Sequence, residues 1–89
     1  DTVRNSGLNA SVWQVKRYIK DHLNDPDSYK SVEWSKVQKK GDVGYYVRHK
    51  YRAKNMFGAY VTHDQIFHLD ADGKVIGVDN FSDYQELIQ

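Results

Sequence analysis

"YYVRHKYRAK", residues 45–54, is the stretch on which the fold turns. Tyr45, Val47, His49, Tyr51 and Ala53 alternate with Tyr46, Arg48, Lys50, Arg52 and Lys54. Side chains of a strand point alternately to opposite faces, whereas a helix would scatter both sets around its axis. The run therefore reads as a β-strand with one aromatic and apolar face and one basic face.

Working outward from it, "NMFG" (55–58) carries Asn55 and Gly58, two residues that tolerate the left-handed geometry of a chain reversal. "AYVTHDQIFHLD" (59–70) is then the return strand. Its parity is mixed, because Val61, Phe67 and Leu69 ask for burial on one face and Tyr60 and Ile66 on the other. A bulge near His63–Gln65 is expected to reconcile them. "DADG" (70–73) reads as a tight hairpin turn and Lys74–Val78 as the last strand. Upstream, Pro26-Asp27-Ser28 is turn chemistry. Val32 and Trp34, alternating with polar neighbours, predict a half-buried strand over 31–37, and 40–44 is a loop.

The N-terminal part carries a different period. Val12, Val15, Ile19 and Leu23 fall on one helical stripe, Ser11 and Gln14 have the spacing of a capping box, and Pro26 stops the helix. A helix over about 12–24 is expected. Residues 1–10 read as a flexible lead-in or tether and 11–89 as one domain. Ser82 and Gln85 suggest a short C-terminal helical turn over 82–89. The fold class is α+β, with one N-terminal helix packed across a four-stranded antiparallel meander sheet. Its second face, carrying Arg48, Lys50 and Arg52, is left to solvent.

A chain of 89 residues holds one modest core and no deep enclosed cavity. With seven Tyr among its aromatics, much of that core must be Tyr and Trp. The absence of Cys removes disulfides, thiolate catalysis and cysteine zinc sites. No run approaches the ~20 apolar residues of a membrane-inserting helix, and none has the pattern of a signal peptide. Net charge is +1, but it is unevenly spread. Between Lys36 and Lys54 seven basic residues face one acid, Asp42, and between Thr62 and Gln89 six acids face one base, Lys74. Adjacent strands bearing these segments would largely neutralise each other. Otherwise they form a basic patch for an anionic partner.

Catalytic chemistry finds little support. His49 and His63 could face each other across the central hairpin with Asp64 or Asp70 nearby, but the spacing is too loose for a set of metal ligands. "DADG" is not a calcium loop, since its twelfth position is Phe81 rather than Glu. There is no nucleophile elbow, paired-carboxylate cleft or glycine-rich phosphate loop. The reading is a non-enzyme with no cofactor and no metal.

"LNDPDSYKSVEW" (23–34) followed by "YRAKNMFGAYVTHDQIFHLD" (51–70) resembles a small bacterial domain family. Its members carry a helix ending in L-x-D-P-D-S and a hairpin of the form A-K-N-x-F-G-G-Y. The resemblance runs from about Val12 to Val78. It implies an exported or membrane-tethered setting in the bacterial cell envelope, periplasmic or extracellular, and supplies no catalytic residues. Ala59 departs from it by standing where the second Gly belongs, which leaves Gly58 as the essential turn glycine.

The function expected is a non-catalytic accessory or protein-binding module. Its contact residues are Asn55, Met56, Phe57 and the ladder Arg48, Lys50, Arg52. The alternative is an anion or nucleic-acid binding domain using the basic strand 46–54, and a small metal-binding or hydrolytic enzyme is a third. A homodimer through an exposed strand edge is a further expectation.

Overall fold

The computed structural model describes residues 2–82. Helix α1 (Trp13–His22) and a single 3-10 turn (Pro26–Ser28) precede five strands. These are β1 (Lys30–Trp34), β2 (Gln38–Lys40), β3 (Gly44–Lys54), β4 (Tyr60–Asp70) and β5 (Val75–Asn80). The sheet is antiparallel and ordered β1-β3-β4-β5, with β2 also paired to β3. The α+β class holds, but there are five strands where the sequence predicts four. The expected strand over 31–37 is broken, and β1 and β2 lie end to end along the same side of β3.

What breaks it is a side chain from the N-terminal segment. The Asn5 amide donates to the Ser35 carbonyl at 2.9 Å, and its Oδ1 accepts from the Val37 N–H at 2.9 Å. It takes the place of a strand partner where the main chain has left β3. Val3 is 2% exposed and joins the core. The segment expected as a flexible lead-in is thus docked onto the domain.

Helix α1 is shorter than the predicted 12–24. Val12 is fully buried, has extended backbone and serves as N-cap without a side-chain hydrogen bond. The capping box between Ser11 and Gln14 does not form, because the Ser11 N–H donates instead to Asn9 Oδ1 at 3.1 Å, while the Gln14 amide nitrogen donates to the Thr2 carbonyl at 2.9 Å. Leu23 leaves the helix in extended conformation and packs against the core. The predicted stripe is otherwise the buried one, with Val12, Val15 and Ile19 on the inner face of the sheet against Val47, Phe67 and Leu69. Tyr45 and Tyr51 are buried there as well, whereas Trp13 is exposed.

Strand β3 behaves as its alternation dictates: all five residues of the aromatic and apolar set are buried. Strand β4 pairs with it residue for residue from Gly44↔Asp70 to Lys54↔Tyr60. The bulge expected at His63–Gln65 is absent. Phe67 and Leu69 face inward, and Tyr60 and Ile66 simply face outward. Ile66 is nonetheless buried, between the cross-strand neighbours Arg48 and Asp79. The outer face is therefore not wholly left to solvent.

The bulges lie on the two outer strands instead. Val32 is the extra residue between Ser31↔Tyr51 and Glu33↔Lys50, and Ile76 the extra residue between Leu69↔Val75 and His68↔Gly77. Each lets two residues of unlike parity face inward, Ser31 with Trp34 and Val75 with Val78. Each also throws an apolar side chain outward, so Val32 is exposed where the sequence pattern expects burial. A bulged edge is a poor template for a further strand, and that is what a strand-edge homodimer would meet here. The predicted C-terminal helical turn falls, beyond Ser82, outside the described residues.

Candidate functional site

Two hairpins in the chain are closed by the same frame. In the β4–β5 turn, Asp70 Oδ1 accepts from the N–H groups of Asp72 and Lys74 at 3.0 and 2.9 Å, and Gly73 has φ +87°. In the β3–β4 turn, Asn55 Oδ1 accepts from Phe57 and Ala59 at 2.9 and 3.1 Å, and Gly58 has φ +79°. Backbone bonds from Asn55 N–H to Ala59 and from Gly58 N–H to Asn55 complete it. Asn55 thus serves the turn through its side-chain acceptor, not through the left-handed backbone expected of it. Gly58 alone supplies the positive φ.

Neither Met56 nor Phe57 lends a side chain to that frame. They are 75% and 87% exposed at the tip of the longest hairpin in the fold.

Behind the tip, the basic ladder divides into two halves. Arg48 makes a two-pronged ion pair with Asp64, at 2.8 and 2.6 Å, and its guanidinium lies 3.4 Å over the Phe81 ring. Asp64 holds the Arg48 pKa above its ordinary value, and Arg48 holds the Asp64 carboxyl below its own. Lys50 stands in register between two acids, Glu33 on β1 and Asp64 on β4. In this half of the ladder Arg48 is paired, and Lys50 has acids in register on both sides, as opposed charges on adjacent strands allow.

The other half has no acid in register. Arg52 lies between Lys30 and Thr62, and Lys54 opposite Tyr60. The charged groups of Lys30, Arg52 and Lys54 stand 5.0, 5.1 and 5.6 Å from the centroid of the Tyr60 ring. Among the described residues the salt bridges are Arg48–Asp64 and His68–Asp79, so none of these three cations has an ion-pair partner there. Lys30 and Tyr60 are absent from the contact residues read in the sequence. Tyr60 could have been found from its parity with Lys54. Lys30 could not, because the register of β1 on β3 depends on the bulge at Val32.

The histidines do not converge. His49 is fully buried, stacked on Trp34 with ring centroids 3.4 Å apart. Its Nδ1 is 2.8 Å from the Glu33 carbonyl and its Nε2 is 2.6 Å from the Tyr29 hydroxyl. A carbonyl can only accept, so Nδ1 carries the proton and Nε2 accepts from the phenol. Burial pushes the His49 pKa down to about 4 and that of Tyr29 up to about 12. His63 stacks on Tyr51 instead, at 5.0 Å. His68 is held on the outer face between Lys40 and Asp79, at 3.2 and 2.9 Å. Among the described residues no group of three His, Asp or Glu side chains is placed to hold a metal ion. A shallow groove of about 310 Å³ lies between α1 and the sheet, walled by Tyr18, His22, Tyr51, His63 and Phe67.

What the arrangement offers chemically is therefore an exposed apolar tip on a hydrogen-bonded turn, backed by three cations around an aromatic ring that have no ion-pair partner among the described residues. No protein-family model, curated protein or solved structure matches the chain.

Proposed function

We propose that the chain is a non-catalytic accessory module of the bacterial cell envelope that docks on its partner through the end of the β3–β4 hairpin, a protein being the first candidate. The observation that carries this reading is the exposure of Met56 and Phe57 on a turn that closes without their side chains. Paired large apolar residues at a protruding tip are a feature of interaction surfaces. The envelope setting rests on the resemblance of the helix end and hairpin to an exported bacterial family. Asn55 then holds the tip in shape, and Met56 and Phe57 make the contact. Arg48 and Lys50 brace the sheet behind them, and Arg52 supplies charge.

A photo-crosslinking residue at position 57, in the producing cell, tests it. Adducts are expected at 57 and not at Val43, which is exposed at the opposite end of β3. Equal yields at the two positions, or none at 57, would overturn the reading. Anion or nucleic-acid binding is the second reading, favoured by the cations around Tyr60. It predicts an affinity that falls steeply between about 50 and 200 mM salt.

A further inference from the structure

We propose that the surface met by the hairpin end is the anionic face of a lipid bilayer. This rests on the hairpin end being the contact surface and names anionic lipid as the surface it meets first, ahead of a protein partner.

The order of residues along the hairpin is the main argument. Met56 and Phe57 stand at the extremity. Lys54 and Tyr60 form the last rung of the ladder behind them, and Arg52 with its neighbour Lys30 lies two residues further back. At about 3.3 Å per residue, the cations trail the turn by roughly 3–10 Å. The headgroup layer of one leaflet is about 5–7 Å deep. With Met56 and Phe57 at the acyl boundary, Lys54, Arg52 and Lys30 therefore stand among or just above the headgroups. Tyr60 occupies the depth at which Tyr rings concentrate at membrane interfaces. Lys and Arg side chains keep their charge in the polar layer while their stems lie along apolar surface. Apolar contact and attraction to anionic lipid add in such interfacial seats.

The charge pattern argues against a nucleic-acid track. Such a track needs cations strung along a groove with free aromatic faces between them. Here the ladder is neutralised at Arg48 by Asp64, and Lys50 sits between acids. On β3 the cations with no acid in register, Arg52 and Lys54, lie toward the turn, and the ring of Tyr60 is already attended by three cations of its own chain. No helix among the described residues is long and apolar enough to cross a membrane, so the seat is interfacial and not a span.

The test is co-sedimentation of the full chain with vesicles, either phosphatidylcholine alone or with about one third phosphatidylglycerol. Sedimentation with the anionic vesicles only, weakening with salt, is expected. The tip variant is Met56→Ala with Phe57→Asp, which copies the residues that the Asp70 turn carries at the same places, so folding is preserved. It should lower partitioning at least about tenfold with an unchanged melting temperature. Lys54→Gln and Arg52→Gln should each lower it about fivefold. No sedimentation with anionic vesicles at low salt, or equal sedimentation of the tip variant, overturns the lipid assignment. So does tight binding of a single-stranded oligonucleotide in its place. If vesicle binding fails while a crosslinker at position 57 captures a protein, the lipid falls and the docking surface stands. If both fail, both readings fall.

Discussion

The Tyr29 hydroxyl lies 2.6 Å from Nε2 of His49, whose Nδ1–H donates to the Glu33 carbonyl at 2.8 Å. A buried imidazole is thereby held neutral by one donor and one acceptor, and it ties the start of β1 to the middle of β3. Protonation would put a charge into a fully enclosed site. A base whose folded pKa lies below its ordinary value stabilises the fold above that ordinary value. The contribution is lost as pH falls through the window between the two. For His49 the window runs from 6.5 down to about 4. The expected loss is about 3 kcal/mol across it, read by urea unfolding at several pH values. His49→Gln should flatten that slope; an unchanged slope would mean another group carries the acid sensitivity.

Phe57→Ala should alter stability by less than about 0.5 kcal/mol, as at an ordinary exposed site. Gly58→Ala should cost about 1–2 kcal/mol, because φ +79° is unfavourable for any side chain. Asn55→Ala should cost a similar amount by removing the acceptor for two N–H groups. Thermal and urea unfolding of the three variants compares them directly. A loss at Phe57 as large as at Gly58 would show that the tip packs inward.

Asn5→Ala should cost about 1–3 kcal/mol, since it strips the Ser35 carbonyl and Val37 N–H of their partner between β1 and β2. Hydrogen exchange at the Val37 amide reports this locally. Protection there should drop in the variant while amides of β3 and β4 stay protected. Retained protection at Val37 would mean the N-terminal segment does not hold the junction.

Gly44 leaves room for the Leu69 carbonyl of the neighbouring strand. A Cβ at this position would overlap the Leu69 carbonyl oxygen, although its backbone is ordinary. Gly44→Ala should therefore cost about 1–3 kcal/mol by forcing β3 and β4 apart at that rung. A neutral result would show that the rung can open.

The ion pair of Arg48 and Asp64 is two-pronged but exposed, with 45% of the Arg side chain open to solvent. Its coupling in a double-mutant cycle should be about 0.2–1 kcal/mol and should shrink with added salt. Coupling insensitive to salt would place the pair in a drier setting than its exposure indicates.

The alternation of Tyr45 to Lys54 was enough to read β3, its two faces and the hairpin that follows. The stripe Val12, Val15, Ile19 was enough to read the covering helix. Both signals are local and periodic. The departures all come from contacts made across the sheet. Val32 and Ile76 are bulged because Trp34, Val75 and Val78 must reach the inner face, and nothing in the local pattern of β1 or β5 announces it. Asn5 divides the first strand from 30 residues away. The candidate site was half legible. The tip was visible as Met56 and Phe57, but the pairing that neutralises Arg48 and leaves Arg52 free needs the register of three strands.

The two outer strands, each kinked at an apolar residue, shape how this molecule meets others. A sheet whose edges are poor templates for a further strand resists stacking strand upon strand into a fibre. Contacts made by the sheet must then come through its faces or its ends. The long central hairpin gives one of those ends an apolar point and a charged shoulder, so encounter has a preferred direction. On the proposed reading, a domain of this kind would approach a surface point first, and a tether at its opposite end would set how far that point can reach.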